Sequence, residues 1–165
     1  MFVLRFSREL ILMSKVEQHA WASLIALVAV FYYFQMRMLD GWTIVETTPK
    51  GLFSLYVMVI VMSIVAEGVI AAVIANKKIG DIEKDERDLF IEARAARVEH
   101  VFLLVAINVL IFHMLADAAY ANHIFPSIEL TDISTLFFAL FSTLFIGEVA
   151  RRVATIFYYR TGFVV

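Results

Sequence analysis

The sequence predicts an all-α membrane protein with four transmembrane helices, and three observations carry this prediction. Hydrophobic residues make up 62% of the 165 positions and charged residues only 18%, and a soluble domain of this size does not cover so much apolar surface. The apolar residues fall into four long runs. Lysine and arginine lie almost entirely on one side of those runs, as the positive-inside rule requires of a multi-pass protein.

A single domain, residues 1–165, is predicted to hold four spans, at about 20–36, 51–75, 98–118 and 133–158. The second span is interrupted by one charge, Glu67, and its length is sufficient to cross a hydrocarbon core of about 30 Å. Thr48 with Pro49, and Thr131 with Asp132, are N-terminal signals for the second and fourth helices.

The orientation follows from the distribution of lysine and arginine. Twelve of the 14 fall in the N-terminal segment, the connector 77–97 and the C-terminal end, and the other two are Lys50, in the outer loop 39–51, and Arg37, just before it; the outer loop 119–131 has none. We therefore expect both termini and the connector to lie in the cytoplasm. The first twelve residues are amphipathic and predict a short interfacial helix, with Met13 as an alternative start.

The connector is charged and continues without a break signal into the third apolar run. Asp85 and Asp88 predict a capping pair at the start of one long helix. About three turns of that helix are expected to project into the cytoplasm as a stalk. Arg94 and Arg97 approach the membrane on this helix, so lipid phosphates are their expected partners. No nucleic-acid partner is predicted.

Three large apolar residues stand out on the predicted stalk among acidic neighbours. An apolar centre with a charged rim is typical of a protein interface. A second copy of the chain, giving a homo-oligomer, or a soluble cytoplasmic protein is the expected partner. The predicted partner-binding residues are Asp85, Glu86, Asp88, Leu89, Phe90 and Ile91.

The same stretch carries a resemblance to known proteins. The residues that match are Asp85, Glu86, Arg87, Asp88, Ile91, Arg94 and Ala95. They resemble a D-E-R-D/E-x-x-I-x-x-R/K-A motif that precedes the third span in a group of small four-helix bacterial inner-membrane proteins of unknown function. The resemblance implies a bacterial inner membrane, and it implies no activity.

The two halves of the chain, 1–81 and 82–165, can be aligned on their polar residues. His19 falls on His100 and Glu67 falls on Glu148, each pair 81 positions apart. A duplication would relate the halves by a pseudo-two-fold axis along the membrane normal. The alternative is coincidence, since any two helical hairpins share apolar positions.

Ionisable residues inside a membrane are expensive, so these four residues form the main candidate site, as one layer on the cytoplasmic side. A row of small residues around Glu67 predicts that this side chain faces the bundle. Two histidines and two carboxylates suit a proton, or a divalent metal such as Zn²⁺, Mn²⁺ or Fe²⁺. Without that metal, no cofactor is expected.

The alternative for this layer is a set of structural ion pairs. Glu148 has Arg151 and Arg152 three and four residues later on its own helix. Glu67 has no such local partner, so it is either protonated or paired with Arg94, Arg97 or an arginine of the fourth span. An ion or substrate pathway is the third interpretation.

A second candidate constellation lies at the outer side of the membrane. His113 and Asp117 share one helix face, and His123 follows in the loop. This spacing suits a metal or a proton relay, and equally a simple His–Asp hydrogen bond.

No phosphate-binding loop, nucleophile elbow or H-E-x-x-H sequence occurs, and there is no cysteine, so an enzyme is not expected. The predicted function is that of a membrane interaction or regulatory protein acting through its connector. The alternatives are a small ion-coupled transporter using Glu67 and a metal-binding membrane protein.

Overall fold

The computed structural model describes residues 15–75, 85–119, 130 and 132–161. Within them the chain forms four helices, which we number α1 to α4, and one short β-hairpin. Each helix is long and apolar enough to cross a membrane, as the sequence predicts. The elements are α1 Lys15–Met38, β1 Leu39–Asp40, β2 Thr43–Ile44, α2 Pro49–Ala75, α3 Glu86–Ala119 and α4 Ile133–Thr161. The predicted N-terminal interfacial helix lies outside the described residues.

The predicted helix starts are found where the capping residues place them. The backbone N–H of Gly51 donates to Thr48 Oγ1 at 3.3 Å, and α2 begins at Pro49. The backbone N–H of Thr135 donates to Asp132 Oδ2 at 2.9 Å, which satisfies a free N–H in the first turn of α4. This hydrogen bond and a second from the Thr135 hydroxyl hold the pKa of Asp132 below its ordinary value.

The start of α3 differs in detail from the prediction. The helix begins at Glu86, and the backbone carbonyl of Asp85 accepts hydrogen bonds from the N–H groups of Asp88 and Leu89, at 2.9 and 3.2 Å. The side chain of Asp88 is used elsewhere, because it accepts a hydrogen bond from the Tyr159 hydroxyl of α4.

The loop between α1 and α2, predicted only as an outer loop, contains a β-hairpin. Leu39 pairs with Ile44 and Asp40 with Thr43. Gly41, in the first position of the two-residue turn, has a φ of 64°, as a type II′ hairpin turn requires. The hairpin marks one end of the helical bundle, which we call the hairpin end. The opposite end is called the charged end.

The four helices are not packed equivalently. In the described residues α1 lies against both α2 and α4, and α4 lies against both α1 and α3. The flanking helices are left open: only 6% of the apolar stretch of α2 and none of that of α3 is buried within the chain. The central helices are therefore α1, the first helix of the N-terminal pair, and α4, the second helix of the C-terminal pair. The predicted repeat is not confirmed by this packing.

The buried core lies towards the hairpin end and is largely aromatic. Phe34 of α1 is fully buried. Its ring centroid lies 5.2–6.0 Å from those of four phenylalanines of α4. Met38 and Leu52 extend the same cluster to the end of α1 and to α2, and Ile44 of β2 packs against it. These contacts join the two central helices through stacked and edge-to-face rings, the arrangements that aromatic side chains prefer.

The contact between α3 and α4 depends on small residues and on the stalk. A β-carbon added at Gly147 would lie 2.9 Å from Cδ2 of Leu103, so the glycine permits a close approach. Nearer the start of α3, Ile91 and Ala95 are 1% and 0% exposed. The first turns of α3 therefore do not stand alone, because the C-terminal turns of α4 run beside them.

Candidate functional site

Glu67 of α2 is the centre of a polar cluster at the charged end. Its Oε2 accepts a hydrogen bond from Ser23 Oγ at 3.0 Å and lies 3.4 Å from His19 Nε2. Its Oε1 lies 3.3 Å from a guanidinium nitrogen of Arg152. One carboxylate therefore connects three helices, since His19 and Ser23 belong to α1 and Arg152 to α4.

His19 and Ser23 reach Glu67 together because they are four residues apart and share one face of α1. Ser23 Oγ lies 3.3 Å from His19 Nδ1, and Ser23 is 1% exposed. Sequence reasoning missed Ser23. The available signal was its place one turn after His19, on the face that a Glu67 partner would have to meet.

Arg152 extends the cluster along α4. Its guanidinium lies 2.8 Å from Glu148 Oε1, and Arg151 Nη1 lies 3.7 Å from Glu148 Oε2. These are the intrahelical pairs that the spacing predicts. The sequence offers Arg94, Arg97 and the arginines of the fourth span as cationic partners for Glu67. The structure places Arg152, of the fourth span, beside it.

Glu99 of α3 completes the arrangement from the other side. Its Oε2 lies 3.6 Å from the same Arg151 Nη1 that lies 3.7 Å from Glu148 Oε2, so the two carboxylates share this guanidinium. Sequence reasoning missed Glu99. It stands four residues after Ala95 and eight after Ile91, so the buried face of α3 carries it onto α4.

Six side chains thus form one continuous line, alternating in charge if His19 is protonated, across all four helices. We call this line the charge chain. Its members, in order of contact, are His19, Glu67, Arg152, Glu148, Arg151 and Glu99.

His100 does not join this layer, so the predicted set of two histidines and two carboxylates is not formed. It is exposed and lies about 100° around α3 from its neighbour Glu99, away from the contact with α4. Among the residues that the structure describes, no three His, Asp or Glu side chains stand close enough to hold a metal ion. The divalent-metal interpretation therefore has no assembled ligand set within them.

The second constellation is described only in part. His113 is half-buried on α3. The side chain of Asp117 and all of His123 lie outside the described part of the chain, so this prediction stays a prediction.

The predicted partner-binding surface on the stalk is corrected at two positions. Ile91 is buried against the chain's own α4, and Asp88 is engaged by Tyr159. Leu89 and Phe90 stay 54% and 40% exposed, beside the exposed side chains of Asp85 and Glu86. The extension of α4 therefore covers the inner side of the stalk, and partner binding by its outer side stays a prediction.

The two arginines assigned to lipid phosphates differ in environment. The guanidinium carbon of Arg94 lies 4.5 Å from the centroid of the Phe90 ring, a distance typical of a cation–π contact. Arg97 is exposed. A contact with lipid stays a prediction for both residues.

No protein-family model matches the chain, and no curated protein or solved structure is detectably similar to it. The fold by itself defines a class: an all-α protein with four helices that are long and apolar enough to span a membrane. Multi-pass membrane proteins have the same two features: helices as long as a bilayer is thick, and helix faces that the rest of the chain leaves uncovered.

Proposed function

We propose that this chain is a multi-pass protein of a bacterial inner membrane that acts as an interaction or regulatory protein. Both termini and the connector 77–97 are assigned to the cytoplasm. The observation that carries the proposal is the exposed pair Leu89 and Phe90, which α3 presents in its first turns beside two acidic side chains.

The exposure of this pair has a different explanation from the exposure of the apolar residues farther along α3. Those residues can face lipid, where exposure of apolar side chains is favourable. Leu89 and Phe90 instead belong to a charged segment that also holds Asp85 and Glu86. A large apolar pair with an acidic rim in water fits a partner with an apolar pocket and basic edges. A soluble cytoplasmic protein is the partner we assign.

The rigidity of the stalk supports this assignment. Ile91 and Ala95 anchor its inner side on α4, and Tyr159 holds Asp88. A surface on a fixed element loses less conformational entropy on binding than a free segment does. The charge chain adjoins the same two helices, so a change in its bonding can reach the stalk through α3 and α4.

The topology is tested first, because every assignment of sides depends on it. The chain has no cysteine, so Thr47→Cys and Glu86→Cys each give a single thiol. An impermeant thiol reagent applied to whole cells should label the first variant and spare the second. Labelling of Glu86→Cys alone would reverse the orientation and remove the cytoplasmic partner.

The partner surface is tested by Leu89→Ala with Phe90→Ala. The cytoplasmic partner is first identified by crosslinking. Loss of two large apolar contacts should then weaken its affinity for the chain at least about tenfold, which is about 1.4 kcal/mol. Leu104→Ala with Phe112→Ala is the matched control, since it removes the same residue types from exposed positions on the same helix. Equal capture by the parent and both double variants would refute the proposed surface. A change in oligomeric state specific to the first variant would identify a second copy instead.

An ion-coupled transporter is the second candidate, favoured by the bonding of Glu67. This carboxylate lies eight residues, or about 12 Å, from the end of α2, and its Oε2 lies 3.4 Å from His19 Nε2. The assay measures flux of a candidate substrate into proteoliposomes, driven by a proton gradient. Flux that is lost in Glu67→Gln, with membrane insertion unchanged, would favour transport over regulation. Equal flux in the parent and in protein-free liposomes would exclude it under those conditions.

A further inference from the structure

Asn108 is a polar side chain in the middle of the apolar part of α3. The only other polar residue between Val101 and Ala116 is His113. Asn108 stands seven residues after the start of this run and eight before its end, about 10 to 12 Å from each. In the proposed membrane orientation the amide therefore lies near the centre of the hydrocarbon core, where a polar group is most expensive.

The structure places this amide on the outer face of α3. The half-buried residues of α3, among them Phe102, Ala106 and Leu110, recur every three or four positions and mark the face that meets α4. Asn108 is exposed. It comes two positions after Ala106, so it lies about 200° around the helix from that residue and points away from α4.

The amide of Asn108 is satisfied only in part by its own helix. Its Nδ2 donates to the backbone carbonyl of Leu104 at 2.7 Å, which uses one of its two N–H groups. Within the described residues, the second N–H group and Oδ1 have no hydrogen-bond partner. Lipid tails offer none, and an unpaired amide in apolar surroundings costs free energy. The remaining donor and acceptor therefore call for a polar group from another molecule.

The residues around Asn108 form a line with a seven-residue repeat, which we call the α3 seam. Its apolar members are 46–59% exposed. The spacing alternates between three and four residues, as in helices that stay in contact along a left-handed coiled coil. The seam ends at its first member because Arg97, the next residue on the line, carries a charge. The members are Val101, Leu104, Asn108, Ile111 and Leu115.

We propose that the α3 seam is the contact between two copies of this chain, with their Asn108 amides paired across a two-fold axis. An amide carries both a donor and an acceptor, so a second identical amide supplies the missing partners. Two copies inserted with the same topology present α3 in parallel, and equivalent positions of a parallel pair face each other. The inference rests on the proposed membrane insertion, because water would satisfy the same amide in solution.

A second copy fits the α3 seam better than lipid or a different protein does. Lipid tails can cover the apolar members but cannot pair with the amide. A different protein would have to present its own amide or hydroxyl group at the same depth, whereas a second copy does so by symmetry. A single polar group within an apolar seam also fixes the register and the number of helices in coiled coils.

The seam is tested on the full-length protein in membranes by oxidative crosslinking with a lipid-soluble oxidant. The chain has no cysteine, so Val101→Cys and Leu115→Cys each place one thiol in the seam. Ile107→Cys and Val109→Cys are matched controls, because both positions are exposed and point about 100° to either side of Asn108. The seam variants should give a disulfide-linked pair of chains at least about tenfold more efficiently than the controls, since only close thiols can be bridged.

Three outcomes of the crosslinking experiment would overturn the proposal. Equal crosslinking of all four variants would indicate random collision. No crosslinking at either seam position would leave lipid as the occupant of this face. A crosslinked product with a mass other than that of two chains would identify a different protein as the partner.

The contribution of the amide is measured with Asn108→Leu, which keeps the seam apolar. Energy transfer between copies labelled at Thr47→Cys gives the dimer fraction in liposomes over a range of protein-to-lipid ratios. Loss of the hydrogen bond should raise the dimer dissociation constant at least about threefold. Asn108→Gln retains an amide and should restore part of the affinity. Equal dimer fractions in the parent and in Asn108→Leu would overturn the pairing of the amides.

The dimer contact and the proposed function can fail separately. Thiol labelling of Thr47→Cys and Glu86→Cys tests insertion, and an inserted chain that stays monomeric would refute the α3 seam alone. Leu104 belongs to the seam and also to the control for the partner surface. That control stays valid because capture is counted per copy of the chain, and each copy keeps Leu89 and Phe90 as a monomer or a dimer.

Discussion

The two ends of the helical bundle connect α1 to its neighbours by different kinds of contact. At the hairpin end, Phe34 is surrounded by rings of α4. At the charged end, Ser23 of the same helix is equally buried, but it acts through a hydrogen bond to Glu67. Ring packing is set by volume and burial, whereas the polar contacts require particular atoms at particular distances.

This difference separates two properties of the molecule. The aromatic core holds α1 and α4 together without ion pairs, because none of the described residues in it is an acid, a histidine, a lysine or an arginine. The charge chain holds the helices through ion pairs between particular atoms. A substitution at the hairpin end should therefore act through lost volume and one at the charged end through a lost polar contact, and each of the following variants tests one side of that contrast.

The largest effect is expected from Phe34→Ala. Removal of this fully buried ring leaves a cavity between α1 and α4, so the free energy of unfolding should fall by about 3 kcal/mol. The measurement is reversible unfolding in mixed micelles, repeated at two pH values, and the loss should be the same at both. Phe53→Ala is the control, because Phe53 is 68% exposed on α2. A similar loss in both variants would contradict a core centred on Phe34.

Substitutions at two buried serines should change the free energy of unfolding by an intermediate amount, with opposite signs. Ser23→Ala removes a hydrogen bond to Glu67 and should lower the free energy of unfolding by about 1 kcal/mol. Ser142, on α4 in the aromatic region, buries a hydroxyl oxygen with no hydrogen-bond partner among the described residues, so Ser142→Ala should raise that free energy by up to about 1 kcal/mol. The same unfolding assay measures both. Destabilisation by Ser142→Ala would show that its hydroxyl has a partner.

The smallest effect is expected at Asp132. Its pKa is lowered by hydrogen bonds from Thr135, so the stabilisation is complete above the unfolded value of about 3.9 and is lost as the pH falls through the lower folded value. The amide resonance of Thr135 should follow this titration in the parent and should not titrate in Asp132→Asn, which keeps the cap. A parent midpoint at or above about 3.9 would contradict the lowered pKa.

Local features of the fold could be predicted from the sequence because their causes are local. Thr48, Pro49 and Asp132 lie within one turn of the helices they start. The four apolar runs also determine the number of long helices. The pairing of Glu67 with Arg152 spans 85 positions. It depends on how α2 and α4 meet, so sequence reasoning could offer Arg152 only as one among several partners.

The errors arose where one helix was considered without its neighbour. Ile91 looks exposed when α3 is treated as an isolated stalk, and it is buried because α4 extends beside it. His100 was placed in the layer by its offset from His19, but the face of α3 that meets α4 carries Glu99 instead. A one-residue difference on a helix changes direction by about 100°, so the alignment of the halves could not decide which side chain points inward.

The absence of a side chain at Gly147 has a consequence beyond packing. This residue stands one helical turn before Arg151, where a β-carbon would press on Leu103 at 2.9 Å. A larger residue there would act as a wedge and widen the gap between the two helices. The separation of Arg151 from Glu99, now 3.6 Å, would grow with it. Gly147, which carries no charge, thus sets the distance across which Arg151 and Glu99 attract each other.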